Sequence, residues 1–187
     1  MAGLYFRYGT MNSSKTANLL MIRHNYIESG FKVVILKPET DTRCEYGKIE
    51  SRVGISAECV MISNESDIDY ICKEHEIILV DEAQFLSKEI VDKLYDISFN
   101  KVVMCFGLLT DFKQELFEGS KRLIELSDSI QEIKSVCKCG KRAVVNARYK
   151  DGVLQTKGEQ VVIGAEETYK ALCKDCYKKE RIKSYGL

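Results

Sequence analysis

Near its start the chain carries a lysine and a hydroxyl, and further on two adjacent carboxylates, at spacings that phosphoryl-transfer chemistry uses. Residues Tyr5-Phe6-Arg7-Tyr8-Gly9-Thr10-Met11-Asn12-Ser13-Ser14-Lys15-Thr16 read as an aromatic-rich strand, a tight turn and the start of a helix. Gly9, Lys15 and Thr16 stand where the phosphate-loop pattern G-x-x-x-x-G-K-S/T requires them, with Ser14 in place of the second glycine. Such a loop turns backbone N–H groups onto phosphate oxygens at a helix start. Lys15 would then lie along the β- and γ-phosphates as a point charge, and the Thr16 hydroxyl would complete the shell of a Mg²⁺ ion. Gly9, Thr10, Met11, Asn12, Ser13, Ser14, Lys15 and Thr16 are the candidate nucleotide-phosphate site. A serine at position 14 is expected either to be tolerated with strain or to weaken nucleotide binding, since glycine there admits φ > 0.

The apolar run Ile77-Ile78-Leu79-Val80 ends in Asp81-Glu82. An acid closing a buried strand downstream of a phosphate loop is the second half of such a site, so Asp81 is placed to hold Mg²⁺ directly or through water. Glu82 is placed to accept a proton from the attacking nucleophile, either water in a hydrolase or a hydroxyl in a kinase. A second constellation is chemical but not catalytic. Of the eight cysteines, Cys137-Lys138-Cys139 and Cys173-Lys174-Asp175-Cys176 form two close pairs that suit tetrahedral Zn²⁺ in a reducing compartment. The first pair is one residue tighter than the usual spacing, which leaves open whether both of its sulfurs reach one metal. A site made wholly of thiolates has no open position, so zinc there would staple a subdomain.

These groups need elements to position them. Apolar residues at Leu19, Leu20, Ile22, Tyr26 and Ile27 predict a helix from Thr16 to Gly30. Phe31–Leu36, Cys59–Ile62, Ile77–Val80 and Lys101–Gly107 read as strands, and Asp67–His75 and Ser87–Ser98 as helices, the latter capped by Ser87. Residues 39–56 read as a polar loop. Alternating strands and helices with buried strand runs imply an α/β fold of the P-loop NTPase type: a parallel sheet with helices on both faces and ligands at the strands' carboxyl ends. Beyond Ser127 the pattern changes to short strands, Ile130–Val136 and Ala143–Tyr149, with the cysteine pairs between Gly- and Lys-rich connections. The expected division is a nucleotide-binding and phosphotransfer domain over 1–128 and a small zinc-binding β subdomain over 129–187.

Composition excludes some classes. Lys+Arg and Asp+Glu balance at 28 each, with no long basic run outside the tail, so no nucleic-acid footprint is expected. The basic tail from Lys178 to Lys183 reads as a solvated end. No apolar run has the length to span a bilayer and no signal-peptide pattern precedes the first strand, so no membrane association and a cytoplasmic location are expected.

Taken together, several segments resemble the type II thymidine kinase family, the zinc-containing P-loop kinases that phosphorylate deoxythymidine with ATP. The likeness spans nearly the whole chain. It rests on Leu4–Ser13, Asp41-Thr42-Arg43, Ser51-Arg52-Val53-Gly54, Asp81–Leu86, Phe106-Gly107-Leu108, Thr110-Asp111-Phe112, Leu116-Phe117, and Gly158–Gly164 followed by Tyr169 and Cys173. The resemblance implies that Glu82 is the general base toward the nucleoside 5′-hydroxyl. Lys15 and Arg43 would stabilise the phosphoryl group in transfer, and Mg²⁺ would be held through Thr16 and Asp81. It further implies a thymine pocket formed by Met11, Phe85, Phe112 and Phe117, with Gln84 on the sugar side. A lasso loop carrying Val162, Ile163 and Tyr169 would close that pocket, and Cys137, Cys139, Cys173 and Cys176 would hold the structural zinc. A homotetramer and feedback inhibition by thymidine triphosphate are implied in the same way. The residues themselves leave two other readings: an NTPase in which Glu82 activates water, and a non-catalytic nucleotide sensor disabled at Ser14.

Overall fold

The computed structural model of the chain describes residues 2–41, 45–160 and 167–186. The first part runs β1 (Gly3–Tyr8), α1 (Lys15–Glu28), β2 (Val33–Pro38), β3 (Lys48–Glu50), β4 (Ser56–Glu58), β5 (Val60–Ile62), α2 (Ile68–Cys72) and β6 (Ile77–Val80). A 3₁₀ turn (Ala83–Phe85), α3 (Lys88–Ser98), β7 (Val102–Gly107), α4 (Glu118–Leu126) and β8 (Ser129–Glu132) follow. Six of these strands form one sheet in the order β5-β2-β6-β7-β1-β8, every pairing parallel.

The sheet is covered on both faces, as continuous apolar strands require. On one face Leu4, Phe6, Leu36, Ile78, Val80, Val103 and Cys105 pack with Ile68 of α2, Ile90, Val91 and Leu94 of α3, and Leu123 of α4. On the other, Ile35, Ile77, Leu79, Met104 and Phe106 meet Leu19 and Leu20 of α1 and Ile49 of β3. Successive residues of β6 fall alternately into the two cores, the period-two pattern of a strand. Ser87 caps α3 as expected, accepting from the Ile90 N–H.

The second part holds β9 (Ser135–Val136), β10 (Arg142–Ala143), β11 (Val145–Lys150), β12 (Val153–Gln155), β13 (Glu167–Leu172) and α5 (Lys174–Tyr185). Strand β11 pairs antiparallel with β12 and β13, and β9 pairs antiparallel with β10. Its own core gathers Ala143, Val145, Ala147, Tyr149, Leu154, Leu172 and Tyr177 around two of the cysteines, Cys137 and Cys173.

The structure departs from the sequence expectation at several places: the strand expected over Ala143–Tyr149 is divided between β10 and β11, and β12 and β13 had no expectation. The stretch expected as one strand over Ile130–Val136 is split: Ser129–Glu132 is the sixth strand of the main sheet, paired with β1, so the sheet runs past residue 128. The polar loop over 39–56 contains β3, which pairs with β4 as a hairpin over α1. Helix α4 had no expectation. The basic tail is helical, with Tyr177 buried and Cys173 capping its start.

Candidate functional site

The carboxyl ends of β1, β2 and β6 converge on one cavity of about 370 Å³. It is lined by Met11–Ala17, by Lys37 at the end of β2 and Asp41 after it, by Ile49–Val53, and by Asp81 and Glu82 after β6. Gly9 makes the turn possible by its size: a Cβ there would lie 2.3 Å from the Ser13 Oγ and 2.5 Å from the Ile133 carbonyl oxygen. Ser14, the position of the missing glycine, takes the left-handed conformation at φ 60°, which is the conformation that favours glycine. It leads into α1 without a side-chain cap from Ser14, and a helix start of this kind turns N–H groups toward an anion. Lys15 is buried and its Nζ donates to the Thr10 carbonyl at 2.9 Å.

Two separate elements meet where a metal would be held. The Thr16 hydroxyl donates to Asp81 Oδ2 at 3.0 Å. Asp81 is 3% exposed, and its Oδ1 is buried without a hydrogen-bond partner among the described residues. Burial first, and then the neighbouring Glu82 charge, push the Asp81 pKa up to about 7. A buried carboxylate with an unused oxygen beside a hydroxyl is a hard-oxygen donor set, and it fits Mg²⁺.

Glu82 also sits in the left-handed region, at φ 51°. Its side chain accepts from Gln84 Nε2 at 2.5 Å, and Gln84 Oε1 accepts from the Leu108 N–H at 3.0 Å. Gln84 is thus engaged at both ends and orients the carboxylate, a role the sequence reading, which put it on the sugar side, did not give it. Gly107 makes room for it, since a Cβ there would lie 2.7 Å from Gln84 Oε1. Beyond Gln84 a second cavity of about 400 Å³ is lined by Pro38, Ile62, Phe85, Leu86 and Phe117 among others. Phe85 and Phe117 meet edge to face, with ring centroids 6.0 Å apart.

The other expected residues divide. Met11 lines the phosphate cavity, and Tyr169 lines a further cavity with Met11–Ser14 and Lys134–Val136. Phe112 is 1% exposed and lines none of these three cavities; the Arg148 guanidinium covers its ring at 3.6 Å. Burial under a cation is its structural setting. Arg43, Val162 and Ile163 lie outside the described residues. Sequence reasoning missed Lys37 and Asp41, a buried ion pair at 3.1 Å on the cavity wall. Lysine before a proline at a strand end, with an acid four residues on, was the available signal.

The cysteine question resolves geometrically. Cys137 and Cys139 lie on the turn between β9 and β10, and Cys173 and Cys176 at the start of α5. The sulfurs of all four lie within 4.8 Å of one another, so the short spacing still brings both members of the first pair to the cluster. The backbone N–H groups of Cys139 and then Cys173 lower the Cys137 thiol to about 6. A ready thiolate in a four-sulfur cluster fits Zn²⁺.

The family model and the curated relatives agree. The family model described as thymidine kinase matches residues 2–177. A thymidine kinase of Streptococcus pyogenes serotype M3 is 44% identical over 187 residues, covering 95% of this chain and 97% of that protein. A thymidine kinase of Streptococcus agalactiae serotype Ia is likewise 44% identical, with the same coverage. Among solved structures, the Legionella pneumophila ATPase DotB overlaps at TM-score 0.42 with 15% identity, over 80% of this chain and 45% of that one.

Proposed function

The chain belongs to the thymidine kinase family, and we propose that it transfers the γ-phosphoryl group of ATP to the 5′-hydroxyl of deoxythymidine, giving thymidine monophosphate in nucleotide salvage. The observation that carries the reading is the contact between Thr16 and Asp81, which joins the phosphate loop to the strand end bearing Glu82 in one cavity. The N–H groups of the loop and of the α1 start bind the phosphates, and Lys15 neutralises their charge. Thr16 and Asp81 would hold Mg²⁺, which when bound offsets charge on the β- and γ-phosphoryl oxygens. Glu82, steered by Gln84, takes the proton from the attacking hydroxyl. Arg43 joins Lys15 on the phosphoryl group in transfer.

The acceptor's base belongs in the aromatic cavity lined by Phe85 and Phe117, next to Gln84; the family resemblance, rather than this cavity's lining, assigns Met11, Phe112, Val162, Ile163 and Tyr169 to the nucleoside site. Cys137, Cys139, Cys173 and Cys176 would hold a structural zinc. A homotetramer, inhibition by thymidine triphosphate and a cytoplasmic location go with the same reading and rest on the family resemblance. No helix among the described residues is long and apolar enough to cross a membrane. The test is transfer of label from γ-labelled ATP to thymidine, resolved chromatographically. Labelled thymidine monophosphate is expected; release of free labelled phosphate alone, independent of thymidine, would replace the kinase with a water-activating NTPase.

A further inference from the structure

Two residues of the phosphate loop that are not glycine hold left-handed backbone conformations, Asn12 at φ 65° and Ser14 at φ 60°. Asparagine enters this region readily; serine does so with more strain. Strained backbone persists only where the surroundings over-determine it. The loop is tied from the side of the cysteine-bearing module. The Thr10 hydroxyl shares a short hydrogen bond with the Ser135 hydroxyl, at the start of β9. The Asn146 carboxamide, on β11, accepts from the Met11 N–H at 2.8 Å and donates to the Thr110 carbonyl at 3.1 Å.

Asn146 is 4% exposed, between the core residues Val145 and Ala147. Thr110 bridges to Leu116, directly before Phe117 of the aromatic cavity. One buried amide therefore touches the phosphate loop at one end and the acceptor-side segment at the other. Deleting it leaves a backbone donor and a backbone acceptor, both partly buried, without their partner, which costs more than losing a hydrogen bond open to water.

We infer that Asn146 is a positioning residue of the phosphate loop: by fixing Met11 it holds the left-handed turn that Ser14 resists, and it links that turn to the wall of the acceptor cavity. The coupling is between Asn146 and Ser14, two residues in different parts of the fold. With glycine at position 14 the turn is relaxed and needs the tie less. The inference rests on the kinase reading only for its turnover readout, because nucleotide binding tests it separately.

The experiment is a double-mutant cycle on the full, metal-loaded protein: wild type, Asn146→Ala, Ser14→Gly and the double variant. Mg-ATP binding is measured by calorimetry, and KM for ATP and kcat with thymidine are measured alongside. Asn146→Ala is expected to weaken Mg-ATP binding about tenfold and to raise KM for ATP in step, with kcat changed by less than about threefold. In the Ser14→Gly background the same substitution is expected to weaken binding only about twofold. Leu154→Ala, in the core of the same module, should lower the melting temperature without moving ATP affinity. Should Asn146→Ala not fold, Asn146→Ser, too short to span both partners, carries the same expectation. Unchanged Mg-ATP affinity in the folded Asn146 variant, or an equal loss in both backgrounds, would overturn the inference. Weakened Mg-ATP binding in a protein that shows no thymidine turnover would support it while removing the kinase reading.

Discussion

Asp81 carries opposite demands from stability and function. Its pKa stands at about 7 against an ordinary 3.8, so between those values the folded protein holds a proton that the unfolded chain has released. The native state therefore loses stability as pH rises from about 4 to about 7, because burying the charged carboxylate is unfavourable. Asp81→Asn removes that penalty. Without Mg²⁺ it is expected to melt above wild type at pH 8 and level with it near pH 4, while Mg²⁺-dependent turnover falls by at least about a hundredfold. Calorimetric melting at the two pH values checks the sign. Ser14 makes a related case: Ser14→Gly relieves a left-handed serine and should stabilise the protein by about 0.5–1 kcal/mol in denaturant titration, net of the added freedom of the unfolded chain. The types and spacings of these charged and loop residues were legible in the sequence because phosphate chemistry dictates both. The partners of Lys37, Asp41, Gln84 and Asn146 were not, since the fold brings them together. Asn146 reads as an ordinary polar residue in an alternating strand, and only the fold buries it against Met11.

At the scale of elements, the 3₁₀ turn over Ala83–Phe85 carries Gln84 and Phe85, and α4 sets its position. Gly119 of α4 lies so near that a Cβ would come 2.6 Å from the Ala83 carbonyl and 2.7 Å from that of Leu86. Gly119→Ala should push helix and turn apart, costing about 1–3 kcal/mol of stability. It should also lower kcat/KM for thymidine more than it raises KM for ATP, read from melting and from steady-state kinetics. The central strands β2, β6 and β7 were legible because strands covered on both faces are continuous apolar runs. Helix α4 was not: it is nine residues long, and of the face it buries, Gly119, Ser120 and Leu123, only Leu123 is a large apolar residue. The β3–β4 hairpin hid in the same way: of its six residues only Ile49 is buried. In α5, Tyr177 alone is buried, so the helix reads as a charged tail.

At the scale of the whole molecule, a large sheet domain and a small module meet at the phosphate loop through Ser135 and Asn146. The module's core is a single cluster around Cys137 and Cys173, the kind of small core that a metal staples. Zinc chelation is expected to lower the melting temperature and to remove the protection of β11–β13 amides in hydrogen exchange before that of β6 and β7. The change of pattern beyond Ser127, to short strands and cysteine pairs, was legible. The residue at which the sheet ends was not, because β8 is an edge strand with three of its four residues exposed, and nothing in its pattern assigns it to the sheet. The central claim, a kinase whose base is Glu82 and whose acceptor is thymidine, is tested most directly by ADP production from Mg-ATP. The assay is run with thymidine, with deoxycytidine and with no nucleoside, on wild type and Glu82→Gln. Turnover is expected to depend on thymidine and to fall by about a hundredfold or more in Glu82→Gln. Turnover indifferent to the nucleoside, or thymidine-dependent turnover that survives in Glu82→Gln, would contradict the claim.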